Sequence, residues 1–568
     1  LKISGLVKDG LVKLLNKKKI KKIDFIFEIQ NKNLDIKDLK FSYKKINFMS
    51  KKIRFEKKDK YINIEGQIEN NKVSLSEKIL KDLFDPFLQA NLKNLDFSSK
   101  NKFKIKVDDK FGIVDYKLKL SLNIDELSII NNFNLKNIFP NQKPTIKFSN
   151  HQTEIIFQKD NLSINGNGNF LIQDNYDKIY YKIKKNKGQS LFDIKLNFNN
   201  DFVNLDLLNY KINGKPESTL RLEGKLKKNK TLNLKKIEFN NGSDSIIVTD
   251  LELTKHLKIF SLETAVFDFI DLQNKKNVFQ IDRIKGIYVL SGKVLNASKL
   301  IEDLIFEEQK NRKIFDKDFS LKIDIKEVYL HSDHITYNLE GNLNLKDNNV
   351  IKANISSQFN EKDKLIFNIS RNNNKKVTSL YSDQAKPFVK KFNFIKGFDK
   401  GSLDFYSVKS KNITNSKLKI YDFKLKELPV LTKILTLASL QGIADLLSGE
   451  GIGFSEFEMN FQNKNNLMTI NEIYAIGPAI SILMEGYIEK NNLISLRGTL
   501  VPATTINKTI SSIPILGSIL VGEKVGEGVF GVSFKIKGPP KELVTSVNPI
   551  KTLTPRFITR TLEKIKKN

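Results

Sequence analysis

Cysteine and tryptophan are absent from the 568 residues, and histidine occurs only four times. Without cysteine there is no disulfide framework and no thiol nucleophile, an absence that suits an oxidising compartment and the cytosol equally. Arginine is also scarce: eight of the 96 basic residues, the rest being lysine. Arginine is the side chain best suited to bidentate phosphate and base contacts. The formal charge of +32 therefore does not read as a nucleic-acid footprint, and no nucleic-acid partner is expected. Lysines occur mostly singly or in pairs along alternating segments, and Lys, Asn, Ile and Phe are enriched together, as an AT-rich genome would produce. Solvated strand faces account for most of this charge, with weak attraction to anionic lipid surfaces as the second reading. No signal peptide or spanning run stands at the front, and the chain opens on Leu1 rather than on methionine. It is read as a fragment or processed chain whose N-terminal anchor lies outside it.

Sites of chemistry are equally sparse. Gly526-Glu-Gly528-Val-Phe-Gly531 has the spacing of a phosphate-cradling loop. An alternating stretch, Val532-Ser-Phe534-Lys-Ile536, follows it where a dinucleotide fold needs a helix, so a tight turn between strands is the reading taken. His331 and His334 flank Asp333, but on a strand or turn their rings point to opposite faces, and no further ligand clusters nearby. There is no G-x-S-x-G elbow and no identifiable acid–base pair. No catalytic residue, cofactor or metal ligand is nominated, and the chain is not read as an enzyme.

What the chain has in abundance is period-two alternation. Ile23, Phe25, Phe27 and Ile29 alternate with mostly polar neighbours, as do Tyr116, Leu118, Leu120, Leu122 and Ile124. Phe319, Leu321, Ile323 and Ile325 repeat the pattern, and so do Ile335, Tyr337, Leu339, Leu343 and Leu345. Each run predicts a half-buried strand, apolar on one face and wet on the other. Turn signals such as Asn240-Asn241-Gly242 and Lys346-Asp347-Asn348-Asn349 predict antiparallel hairpins between neighbours. A short apolar helix or loop is expected at each of 76–88, 296–306 and 385–394, with 296–305 spaced for a helix. Roughly 30 strands at ~4.8 Å each make a continuous sheet longer than ~100 Å. Such a sheet either packs on a second one or curls round a hydrophobic cargo.

From residue 428 the composition changes. LPVLTKILTLASLQGIADLLSGEGIGF carries only Lys433, Asp445 and Glu450 as charges, and its polar positions do not keep to one side of a helical wheel. Two short helices breaking near Gly442 are predicted. A second apolar run covers 506–521, interrupted by Pro514 and Gly517. Leu431, Leu435, Leu446, Leu447, Ile515, Leu516 and Ile519 are the candidate membrane-contacting residues of the two runs. In the tail, Arg556, Arg560 and Lys564 interleave with Phe557, Ile558, Leu562 and Ile565. That pattern fits a capping helix with a solvated face, or a basic helix lying on an anionic bilayer.

An ordered set of motifs runs through this last quarter: Leu440-Gln441-Gly442, Gly449-x-Gly451-Ile452-x-Phe454, Gly498-x-Leu500-Val501-Pro502, Asn507, Ile513-Pro514-x-Leu516-Gly517, Gly526-Glu527-Gly528, Gly538-Pro539, Val547-Asn548-Pro549 and Leu553-Thr554-Pro555. The set resembles the C-terminal region of the AsmA-like family, on its YhdP- and TamB-type side. Ser379 to Phe405 resembles the family's preceding helix-and-strand unit. Arg556 departs from the glycine usual after the last proline, and the stretch after Gly538-Pro539 is off the pattern.

Together these observations predict a mainly β fold: an elongated, curved antiparallel sheet forming a repeating β-groove, with short apolar helices concentrated in the C-terminal region. The expected division is 1–300 and 301–420 as β-groove, then 421–568 as the AsmA-like C-terminal region. The resemblance implies an envelope protein that conducts phospholipid between membranes, anchored in the bacterial inner membrane and reaching into the periplasm. Phospholipids, a membrane surface and other envelope proteins are its expected partners. The alternation runs named above, through Leu339, would line the groove. A structural or assembly factor of the envelope without lipid cargo, and a membrane β-barrel, are the alternatives; the lack of tryptophan for aromatic girdles weighs against the barrel.

Overall fold

The computed structural model describes residues 2–548 apart from 85–91, 302–314, 390–396, 427–450 (Ile434 excepted), 503–531 and breaks of one to five residues in loops. Among the described residues, 31 strands belong to one sheet, and a separate two-stranded hairpin joins Val203–Leu205 to Tyr210–Ile212. Strands adjacent in sequence are adjacent in the sheet, and nearly every pairing is antiparallel. The described exception is the parallel pair Ile287–Asn296 with Phe319–His331. Among the described residues no pairing closes the sheet into a barrel. The first strand, Lys2–Lys13, pairs with Lys19–Gln30, and the last, Val544–Asn548, pairs with Val532–Gly538.

The alternation explains these strands. Over Ile113–Ile130 the residues Leu118, Leu120, Leu122 and Ile124 are half-buried, while Lys117, Lys119, Ser121 and Asn123 between them are exposed. Tight turns reverse the chain with residues at positive φ, as two-residue hairpins of matching twist demand. Asn31 and Lys32 do so at φ 48° and 63°, and Asp347 at 51°. Short helices occur at Glu77–Phe84 and Lys386–Val389, with a further helical turn at 298–301.

The chain divides into two units, one of residues 1–282 with 314–316, the other of 283–313 with 317–568. Residues 420 and 421 are neighbours within the strand Ile413–Leu425, which pairs along its length with Ile452–Lys464. In the first unit a cluster of Ile46, Leu75, Leu80 and Leu92 packs the helix Glu77–Phe84 on the sheet. In the second unit, paired positions build a stripe across thirteen strands. It begins Ile323–Gly341–Ile355–Phe367–Leu380–Phe405–Leu418 and continues through Met459, Ile473, Met484, Gly498 and Phe534 to Val547. Much of that face is buried: Ile325, Ala353, Ile369 and Leu500 are at most 1 % exposed.

Candidate functional site: a half-covered apolar face

Paired residues in an antiparallel ladder project to the same side of the sheet. The registers of the first unit can therefore be read across strands. Leu122, Thr153, Gly166, Tyr181, Ile194 and Leu222 follow one another, and the row continues through Ile237, Val248 and Ala265 to Ile281. Ten strands at ~4.8 Å give this row roughly 43 Å of contour. A neighbouring row runs Leu120, Ile155, Ile164, Ile183, Phe192, Gly224 and Leu234. Most of these side chains are half-buried. Lateral neighbours on one layer produce that degree of burial; a second layer would complete it.

The same registers bring sequence-distant candidates together. Phe27, Ile36, Ile53, Gly66, Phe103 and Leu118 form one row, and Ile29, Leu34, Phe55, Ile64, Ile105 and Tyr116 the next. Tyr116 lies tilted against Phe157 with ring centroids 5.4 Å apart, and its hydroxyl donates to the Lys159 carbonyl at 2.6 Å. Ile23 and Phe25 are half-buried on their strand, whereas Ile29 is exposed. In the second unit Phe319, Leu321 and Ile325 pair with Leu345, Leu343 and Leu339. Ile335 is half-buried and pairs with Tyr329. Tyr337 is 41 % exposed, beside Asn338 at φ 52°, where the register to the next strand shifts. Leu431, Leu435, Leu446, Leu447, Ile515, Leu516, Ile519, Arg556, Arg560, Lys564 and the Gly526–Gly531 motif lie outside the described residues.

The apolar face of the first unit is closed along one rim, a feature not anticipated from the sequence. The helix Glu77–Phe84 covers Leu75, Leu95 and Leu127 there. Farther along, the segment 135–144 and the hairpin Val203–Ile212 cover the strand ends. The Asn204 amide donates to the Ile138 carbonyl, Lys143 to Ile172 and Leu272 to Asn209, each at 2.9 Å. Phe198, 1 % exposed, meets Phe139 and Phe170 at 6.0 Å. Tyr210 lies edge-on to Phe239 and Phe269; its hydroxyl donates to Asp244 at 2.9 Å and accepts from Asn241 at 3.0 Å. Burial pushes that hydroxyl's pKa well above its ordinary value.

A polar group sits among the apolar side chains of this face. His151 is 3 % exposed; its Nε2 lies 2.9 Å from the Asn169 carbonyl and its Nδ1 3.2 Å from the Tyr181 hydroxyl, itself 2.8 Å from Thr153. Burial pushes the imidazole pKa down, keeping the ring neutral. Gly166 and Gly168 leave the space these rings fill: a Cβ on Gly166 would come within 2.5 Å of Tyr181, and one on Gly168 would enter the His151 ring. His331 and His334 face each other across the end of their hairpin, and no group of three or more His, Cys, Asp or Glu suited to a metal occurs among the described residues.

The opposite face is charged and internally paired. A cleft of about 1010 Å³ lies over it, lined by Glu154, Lys182, Asp193, Lys195, Arg221 and Glu238 among others. Arg221 is bidentate on Asp193 (3.1 and 3.0 Å) and also meets Glu223 at 2.9 Å, while Lys119 meets Glu154 at 2.6 Å. Its arginine is thus already neutralised by protein carboxylates. Among the described residues no helix is long and apolar enough to cross a membrane. No protein-family model matches the chain, and no curated protein matches it significantly.

Proposed function

We propose that this chain is an AsmA-like protein of the bacterial cell envelope that carries phospholipid along the apolar face of its sheet between membranes. The carrying observation is the half-buried apolar face of the first unit, continuous over ten paired strands and, among the described residues, covered along one rim. Burying methylenes is worth roughly 0.8 kcal/mol each, so an acyl chain of ~16 carbons gains on the order of 12 kcal/mol on such a surface. Because each strand repeats the same environment, a chain passing from one to the next does not surrender that energy. Sliding therefore needs no chemical step, and no reaction is assigned.

The second unit supports a different role. Its face is already filled at Ile325, Ile369 and Leu500, as in a packed core, which favours a structural part there. The test is direct. Protein purified without detergent is extracted into organic solvent and analysed by mass spectrometry. Diacyl phospholipid in stoichiometric amount supports the reading, and background amounts contradict it.

A further inference from the structure

The two rims of the first unit's apolar face differ in charge as well as in cover. Strand ends opposite the caps carry Lys159, Lys184, Lys185, Lys225, Lys227 and Lys258, of which Lys184, Lys225 and Lys227 project to the charged side of the sheet. The carboxylates sharing that rim include Asp115, Asp160, Glu252, Glu263 and Asp282, and Glu252 already lies 3.9 Å from Lys227. Lys159, Lys184, Lys185 and Lys225 form no ion pair with a described residue. Lys185 occupies the face itself: it follows Ile183 at the next same-side position and pairs with Leu162, whose own partner is Phe157. The covered rim, in contrast, mixes Asp174, Glu217 and Asp271 with Lys143, Lys178 and Lys211.

The strand Gln189–Phe198 gives the scale between the rims, ten residues or ~33 Å at 3.3 Å each. One leaflet's tails occupy about half of a ~30 Å hydrocarbon core. A diacyl tail laid along the strands therefore fits between the rims, its methyl end toward the buried aromatics and its head among the lysines. Resting on the function proposed above, we infer that the open rim is a headgroup rail: it orients each lipid with its phosphate outward at the lysines and favours lipids of net negative charge. Ammonium groups attract an anionic head most strongly where no carboxylate answers them, and salt weakens that attraction.

The experiment compares capture of phosphatidylglycerol and phosphatidylcholine of identical acyl chains, by the full chain from mixed vesicles. The wild type should take the anionic lipid several-fold in excess, and the excess should shrink at 0.5 M salt. The double variant Lys159→Glu, Lys185→Glu should abolish the excess while still carrying phosphatidylcholine. The pair Lys147→Glu, Lys178→Glu, at the opposite ends of the same strands, should leave it intact. Glycerophosphate and inorganic phosphate should not displace bound lipid. Equal capture of both lipids by the wild type overturns the rail and leaves lipid carriage standing, whereas capture of neither overturns both. If the double variant loses only flotation with anionic vesicles and keeps its cargo preference, the lysines dock a membrane and the rail is wrong.

Discussion

Leu120 and Lys119 are adjacent in sequence and opposite in role. Leu120 is half-buried between Asn101 and Ile155, while Lys119 reaches Glu154 on the other face. Leu120→Asp should cut lipid capture at least several-fold, because a carboxylate against an acyl chain has no hydrogen-bond partner. Lys119→Asp should leave capture unchanged, and equal losses from both, with circular dichroism intact, would contradict the assignment of faces. Titration gives a second check. Burial lowers the His151 pKa in the fold below its unfolded value of about 6.5. The unfolded chain thus binds the proton more readily, so this contribution to stability is complete above pH ~6.5 and drains as the pH falls below it. The drop in urea midpoint from pH 7.5 to 5.5 should shrink in His151→Gln. Asp35 is held at about 2 by hydrogen bonds from Arg54 and then Lys52, against its burial. Its contribution survives that window and is lost only as the pH falls from ~4 through 2. The alternation was legible because a period of two needs no long-range information. His151 was not, since it sits in the polar run Ser149-Asn-His-Gln-Thr153; its only signal is the pair of glycines in Asn165-Gly-Asn-Gly-Asn169, which mean little until the register sets them beside rings.

At the scale of elements, the cap is the feature that sequence reading missed. Val203–Leu205 and Tyr210–Ile212 are three residues each, too short to show a period, and their burial comes from tertiary contact alone. Phe198→Ala removes a ring packed between two others and should destabilise by about 3–5 kcal/mol, read as an earlier denaturant midpoint at unchanged slope. Gly224 marks a second dependence. The register slips between Glu223 and Gly224, and a Cβ there would stand 2.8 Å from the Phe192 ring and 3.2 Å from the Leu234 backbone. Gly224→Val should therefore disturb the row from Phe192 to Leu234, with accelerated amide exchange in Gln189–Phe198 and Leu232–Asn241 as the readout. Unchanged exchange would show that the bulge absorbs the side chain. The helix over Glu77–Phe84 needed no such help, because the segment Ser76 to Leu88 already announced an apolar insertion between strands.

For the molecule as a whole, the mainly β class and the order of strands followed from the hairpin signals, whereas the charge of the rims did not. Lysines dispersed evenly in sequence gather on one rim only because successive hairpins return Lys159, Lys185 and Lys225 to the same end of the sheet. The difference between the units was also hidden: the same alternation gives an open face in one and a filled face in the other. The central claim, that the apolar face of the first unit carries lipid, is tested most directly by position-specific crosslinking. A photoreactive phenylalanine is placed, one position at a time, at Leu122, Ile194 and Val248 on the apolar face and at Asn123, Lys195 and Ile247 on the other. Irradiation in cells labelled with radioactive phosphate, followed by gel autoradiography, should give lipid adducts at the first three positions and none at the last three. Adducts of equal strength on both faces, or on neither, would contradict the account.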